Sequence, residues 1–217
     1  MSIQGLEFVD HIAQMPLLDL PVRTVVAAVP TGKVMLSPGS KMTEFGSGVT
    51  DIVAPTLLHL GGLAKASKAL PQARVWGTPG CREKQKDVTF THILGVDAWP
   101  HADAMPWYPI EGMPKVAEGA FLHRASRTLL VCDFVFNITD AKGPGAWLLL
   151  HAFGTYRKLG VSRFFMQFVK DTPAFDASVA KIAALDFDHI VPTHGQAVMN
   201  DGRSKLIAAL QERGLRG

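Results

Sequence analysis

Two apolar runs, Val22–Val29 and Lys33–Leu36, flank Pro30, Thr31 and Gly32, a pattern that predicts a β-hairpin. Ser37, Pro38, Gly39 and Ser40 break the second strand. Asp51–Ala54 reads as the next strand, and Pro55 stops it because proline has no N–H to give a ladder. Gly61 and Gly62 then open an amphipathic helix through Leu63, Ala66 and Leu70. Ala73–Gly77 is a short strand closed by Thr78, Pro79 and Gly80. Strand, helix and strand in this order predict a right-handed parallel crossover.

Residues 81–113 are less regular and predict loops with one or two short strands. Glu118–Leu122 and Thr128–Phe136 are expected strands; the second is almost continuously apolar, so it is placed centrally and covered on both faces. Trp147–Leu159 has helical spacing, and a helix or bent segment follows over Arg163–Val169, with Phe164, Phe165 and Phe168 as its packed face. Asp171 before Thr172 and Pro173 marks a helix start, because an Asp side chain caps free amides and proline suits the first turn. That helix is expected to reach Ala184. Phe187–Pro192 is a last strand leading into Thr193, His194 and Gly195, and Asp201–Glu212 a final helix with Leu206, Ile207 and Leu210 inward. Strands with interspersed helices imply a layered α/β or α+β fold.

At 217 residues and 47% hydrophobic, the chain can form one well-cored domain over 1–217, or at most two small ones. The net charge of +3 is scattered. The short run Arg82–Lys86 reads as solvated loop, and without aromatic residues interleaved it argues against a nucleic-acid partner. Cys81 and Cys132 are far apart and give neither a disulfide framework nor a Cys-rich zinc site. Residues 1–20 carry Glu7, Asp10, His11 and Asp19 and lack the pattern of a signal peptide. No apolar run approaches the roughly 20 residues that span a bilayer. The expectation is a cytoplasmic protein with no membrane partner.

Four segments, in order, resemble the metallo-β-lactamase superfamily. Val53–Leu63 resembles the loop that carries H-x-H-x-D-H before Gly-Gly-Leu; its six positions fall on Ala54, Pro55, Thr56, Leu57, Leu58 and His59. Leu129–Phe136 resembles the strand ending in Gly-Asp, with Cys132 for the Gly and Asp133 for the metal-bridging Asp. Ile190–Gly195 resembles the closing Pro-Gly-His-Gly turn, with His194 as its His. Ile110–Pro114 is similar to the Pro-Gly-His-Thr turn, with Met113 at the His. Ser37 stands where an Asp-x-Gly turn is usual. Ile52–Pro55 with Leu57–His59, Phe121–Leu129 with Asp133 and Asn137, and Phe187–Val191 with His194 and Gly195 look closest to a branch of that superfamily known as a domain of unknown function. The resemblance implies a four-layer αββα sandwich.

It also implies which chemistry is left. The first-metal His positions are Ala54, Thr56 and Met113, so that site is lost; alanine has no donor and a thioether is a poor zinc ligand. At the second, Leu58 removes one carboxylate, while His59, Asp133 and His194 remain. Two imidazoles and a carboxylate suit a single zinc, iron or manganese ion. Glu118 is a candidate fourth ligand; His123 is disfavoured because it falls on the other face of its strand. The implied activity is hydrolysis of a small ester, amide, lactone or phosphoester, with Asp133 catalytic as well as metal-binding. Arg124 and Arg127 are candidate anion-binding residues, or loop ion pairs, and Asn137 a candidate for orienting a ligand. Trp99, Trp107 and Tyr108 either wall a pocket or pack the core. Two other readings stay open: a metal-free binding or structural protein on this fold, and a mononuclear iron or manganese redox protein.

Overall fold

The computed structural model describes residues 2–14, 17, 19–39, 47–140 and 142–216. Ser40, the last residue of the expected break after the hairpin, lies outside them. One sheet contains β1 (Leu6–Gln14), β2 (Asp19–Val29), β3 (Gly32–Leu36), β4 (Val49–Val53), β5 (Arg74–Gly77) and β6 (His92–Ile93), in that spatial order. The other has β7 (Trp107–Pro109), β8 (Gly119–His123), β9 (Thr128–Val131) and β10 (His189–Pro192), ordered β10-β9-β8-β7. The helices are α1 (Leu63–Ala69), α2 (Cys81–Lys84), α3 (Ala146–Phe153), α4 (Arg163–Met166), α5 (Thr172–Ala183) and α6 (Gly202–Gln211).

Strand alternation sorts the apolar side chains into layers. In β4, Val53 points between the sheets, with Val25, Ala27, Trp76, Phe121, Leu130 and Val191. Its neighbour Ile52 points outward, with Val26, Met35 and Val75, against Leu63 and Ala66 of α1. On the far side, Leu122, Leu129 and Ile190 pack against Phe175 and Val179 of α5 and Leu206 and Leu210 of α6. This is the expected αββα arrangement. β4 and β5 run parallel across α1, as the crossover requires. β9 lies inside its sheet and is buried at every residue.

Several boundaries differ for local reasons. β9 stops at Val131 rather than Phe136, because the next three amides turn onto the Glu118 carboxylate. α3 ends at Phe153 rather than Leu159, since Gly154 adopts φ 72° and its N–H bonds back into the last turn. α5 begins as expected: the Asp171 side chain accepts from Ala174 N, with proline in the first turn. α4 is a single turn, and Phe168 lies beyond it; Phe165 is buried but Phe164 is 49% exposed, so the expected packed face is only partly formed. β1 is a strand the apolar pattern does not announce. It pairs antiparallel with β2 at the sheet edge, and only Leu6 and Val9 in it are buried.

A carboxylate sits between the sheets at the middle of β4. Asp51 is fully buried and accepts from Arg74 Nε and Nη2, Trp76 Nε1, His101 Nε2 and Thr50 Oγ1, all at 2.7–2.8 Å. Burial pushes its pKa up, but hydrogen bonds led by Arg74 and His101 outweigh that and hold it below the ordinary value. Trp99 stands at the same core, edge-on to both Trp76 and His101. Trp99 packs the core there. Among the described residues no helix is long and apolar enough to cross a membrane.

Candidate metal centre

Three loops at the ends of β4, β9 and β10 converge. The β4 loop is fixed by its backbone: Thr56 Oγ1 donates to Val116 O at 3.0 Å, Leu57 N to the same oxygen at 2.8 Å, and Lys84 Nζ to Leu57 O at 2.8 Å. His59 follows. The packing also explains Gly62, since a Cβ there would lie 1.7 Å from Pro38 O. The turn at Pro38 and the start of α1 can approach this closely only with glycine between them. After β9, Glu118 Oε1 accepts from Cys132 N and Phe134 N, and Oε2 from Asp133 N, at 2.9–3.1 Å. That clamp sets the direction of the Asp133 side chain. After β10, Asn137 N donates to His194 O at 3.0 Å, and Gly195 adopts φ 101° with no room for a Cβ against Asn137 O.

The side chains meet. His59 Nε2 lies 3.1 Å from His194 Nε2 and 3.4 Å from Asp133 Oδ2, while His194 Nε2 is 3.2 Å from Asp133 Oδ1. His194 Nδ1 is 2.8 Å from Pro21 O. A carbonyl only accepts, so Nδ1 carries the hydrogen and, in the neutral ring, the Nε2 lone pair faces the trio. Metal-bound histidines are commonly oriented this way. Phe136 stacks on the same ring, with centroids 5.0 Å apart and 8° between planes. Asp133 Oδ2 is buried and makes no hydrogen bond among the described residues. Burial raises the Asp133 pKa, but His59 and His194 outweigh it, so the carboxyl stays below its ordinary range.

Two imidazole nitrogens and a carboxylate oxygen that lacks a hydrogen bond among the described residues form a donor set that suits a divalent cation. The spacing agrees: ligand atoms about 2.0–2.1 Å from a tetrahedral zinc are roughly 3.3 Å from one another. Among the described residues this is the one group of three or more His, Cys, Asp or Glu side chains able to hold an ion. It lines a recess of about 530 Å³ with Leu58, Ser37 and Gly39.

The structure redistributes the other candidates. Glu118 is not a ligand of this group, because both its oxygens face backbone amides. Burial, then the negative Asp133, raise its pKa to about 8. It positions Asp133 instead. Arg127 pairs with Asp186 and Asp188 at the opposite end of β9, and Arg124 is exposed beside it. Neither is brought to the trio. Asn137 donates its side-chain N–H to Gln196 O at 2.8 Å, holding the loop after His194 rather than facing the recess. His123 is tied to Ser126 Oγ and Ala28 O. Ala54, Thr56 and Met113 are buried, and the Thr56 hydroxyl donates to Val116 O, so they offer no second imidazole set. Cys132 is buried between the Ser37 and Thr193 hydroxyls; burial and then the Glu118 and Asp133 charges keep its thiol protonated. Pro21 and Phe136, which orient His194, carry no sequence signal for that task, although Phe136 stands in the same apolar run as Asp133.

Glu118→Gln tests the clamp. Glutamine keeps one acceptor oxygen and turns an NH2 toward a buried amide, so metal affinity at the trio is expected to fall about 10–100-fold. Competition with a chromophoric chelator measures this; unchanged affinity would reduce Glu118 to a purely structural role.

Solved structures share this architecture along nearly the whole chain. The metallo-β-lactamase from Pontibacter korlensis superposes with TM-score 0.66 at 12% identity, covering 97% of each chain. The fold is that of the metallo-β-lactamases. The mono-zinc form of the metallo-β-lactamase FIM-1 from Pseudomonas aeruginosa gives TM-score 0.63 at 10% identity, over 98% of this chain and 94% of that one. A metal-soaked flavodiiron core, Flv1 from Synechocystis, gives 0.64 at 10% identity, over 97% of this chain and 59% of the other. No protein-family model and no curated sequence matches the chain. At such identities the metallo-β-lactamase fold is shared, while chemistry has to be argued from the site.

Proposed function

We propose that this chain is a mononuclear metal-dependent hydrolase of a small ester, amide, lactone or phosphoester, acting as one domain. We place it in a branch of the metallo-β-lactamase superfamily that has lost the first metal position. One observation carries this reading: His59, Asp133 and His194 bring three donor atoms together, and a buried Asp133 oxygen there lacks a hydrogen bond among the described residues. A divalent ion held by the trio would supply Lewis acidity to a substrate carbonyl or phosphoryl group. Around it, Pro21 and Phe136 hold the His194 ring, Glu118 holds Asp133, and Leu58 limits solvent at the mouth of the recess.

Elemental mass spectrometry of the purified protein is the test. One equivalent of zinc, iron or manganese, with hydrolysis of a model ester that stops on chelation and returns with the metal, is the expected result. Metal well below stoichiometric, with no thermal stabilisation by added zinc or manganese, would leave a metal-free protein on this fold. Stoichiometric iron with visible absorbance and no hydrolysis would favour redox chemistry.

A further inference from the structure

A second cavity adjoins the recess. It holds about 170 Å³, and Phe136, Phe153, Phe164, Phe165 and Phe168 are among the residues that line it. Asp133, Leu20 and Leu58 line both spaces. Phe136 joins them as well, since the ring that stacks on His194 also faces the cavity. The pocket therefore begins one side chain from the donor atoms.

Its wall is unlike an ordinary core. Phe164 is 49% exposed, with its ring 5.5 Å from Phe153 and 5.3 Å from Phe168. Aromatic rings gathered around an open space leave apolar area that an apolar guest would cover. Among the described residues no Lys or Arg lines the cavity, so these offer nothing to a phosphate dianion. Size narrows the guest further, because an apolar protein cavity of about 150 Å³ stays dry and takes up benzene.

We infer that the cavity is an acyl pocket, and that the preferred substrate is a carboxylic ester or lactone whose acyl group has about six carbons, hexanoyl or benzoyl in size. This inference rests on the hydrolase reading. In the reaction, the oxygen of water bonds to the acyl carbon, the bond from that carbon to the alkoxy oxygen breaks, and the alkoxy group leaves as the alcohol with a proton. The acyl product keeps its tail against the phenylalanines.

Two measurements on the full chain separate the pocket from the metal. In the first, chelator-treated protein is titrated with toluene and followed by thermal shift and NMR. Saturable stabilisation, weakened in Phe164→Ala, is expected. In the second, zinc-loaded protein is assayed with 4-nitrophenyl esters of increasing acyl length. Burial of a methylene is worth about 0.8 kcal/mol, so kcat/KM should rise about fourfold per carbon from acetyl to hexanoyl and fall beyond octanoyl. Phe153→Ala and Phe164→Ala, at partly exposed positions, should move the optimum to longer chains. Failure to bind toluene would overturn the pocket whatever the activity. Hydrolysis with no dependence on chain length would overturn it and leave the hydrolase reading standing. Toluene binding without hydrolysis of any ester would overturn the hydrolase reading and the substrate inference together.

Discussion

His194→Ala is expected to abolish stoichiometric metal binding. Removing a partner of a bound ligand typically costs 10–100-fold in affinity, and removing the ligand itself costs more. His194 is the member of the trio whose tautomer is fixed from outside, by Pro21 O at 2.8 Å, and whose ring is held face to face with Phe136. Without it, His59 and Asp133 are left as two donors, too few to hold a zinc ion tightly. Metal content and zinc titration of the variant are the readouts, with His151→Ala as an exposed-histidine control that should bind like the parent. One equivalent of metal retained by His194→Ala would move the site elsewhere in the chain.

The largest effect on stability is expected away from the trio, at the middle of β4. Asp51→Ala removes an acceptor shared by five donor groups, and Trp76 and His101 among their owners are 1% and 3% exposed. Breaking a buried ion pair from one side costs about 3–5 kcal/mol, because the groups left behind cannot reach water. For a chain of this size that lowers Tm by about 6–20 °C. Arg74→Ala should cost far less, since its side chain is 40% exposed and charges with access to water contribute little. Calorimetry on the two variants compares them, and similar losses would mean that Arg74 alone carries the network. Zinc affinity should be unchanged in Asp51→Ala, because Asp51 lies on the opposite side of Val53 from the trio.

Much of the architecture was legible because it rests on short-range patterns. The hairpin around Gly32, the crossover through Leu63 and Ala66 and the cap at Asp171 each follow from residues a few positions apart. β1 was not legible, because an edge strand with one half-solvated face keeps Asp10 and His11 among its apolar residues. His59, Asp133 and His194 were placed by resemblance, and the geometry brings them together. Glu118 was misread because nearness to a site along a strand does not say which way a carboxylate turns; three amides claim it first. The Asp51 network joins residues up to 50 positions apart, which no local pattern encodes. Phe164 and Phe168 looked like core because helical spacing cannot reveal that the helix lasts one turn.

His59 lies in a loop of the first sheet and Pro21 in its strand β2, whereas Asp133 and His194 follow strands of the second. Neither half of the sandwich owns the donor set. An ion bound there would act as a rivet between the halves, its affinity counted only when they are docked. By mass action, free metal at 100 times its dissociation constant would add about 2.7 kcal/mol to the docked state. The sandwich would then be at its most cohesive when charged for work, and would slacken when stripped.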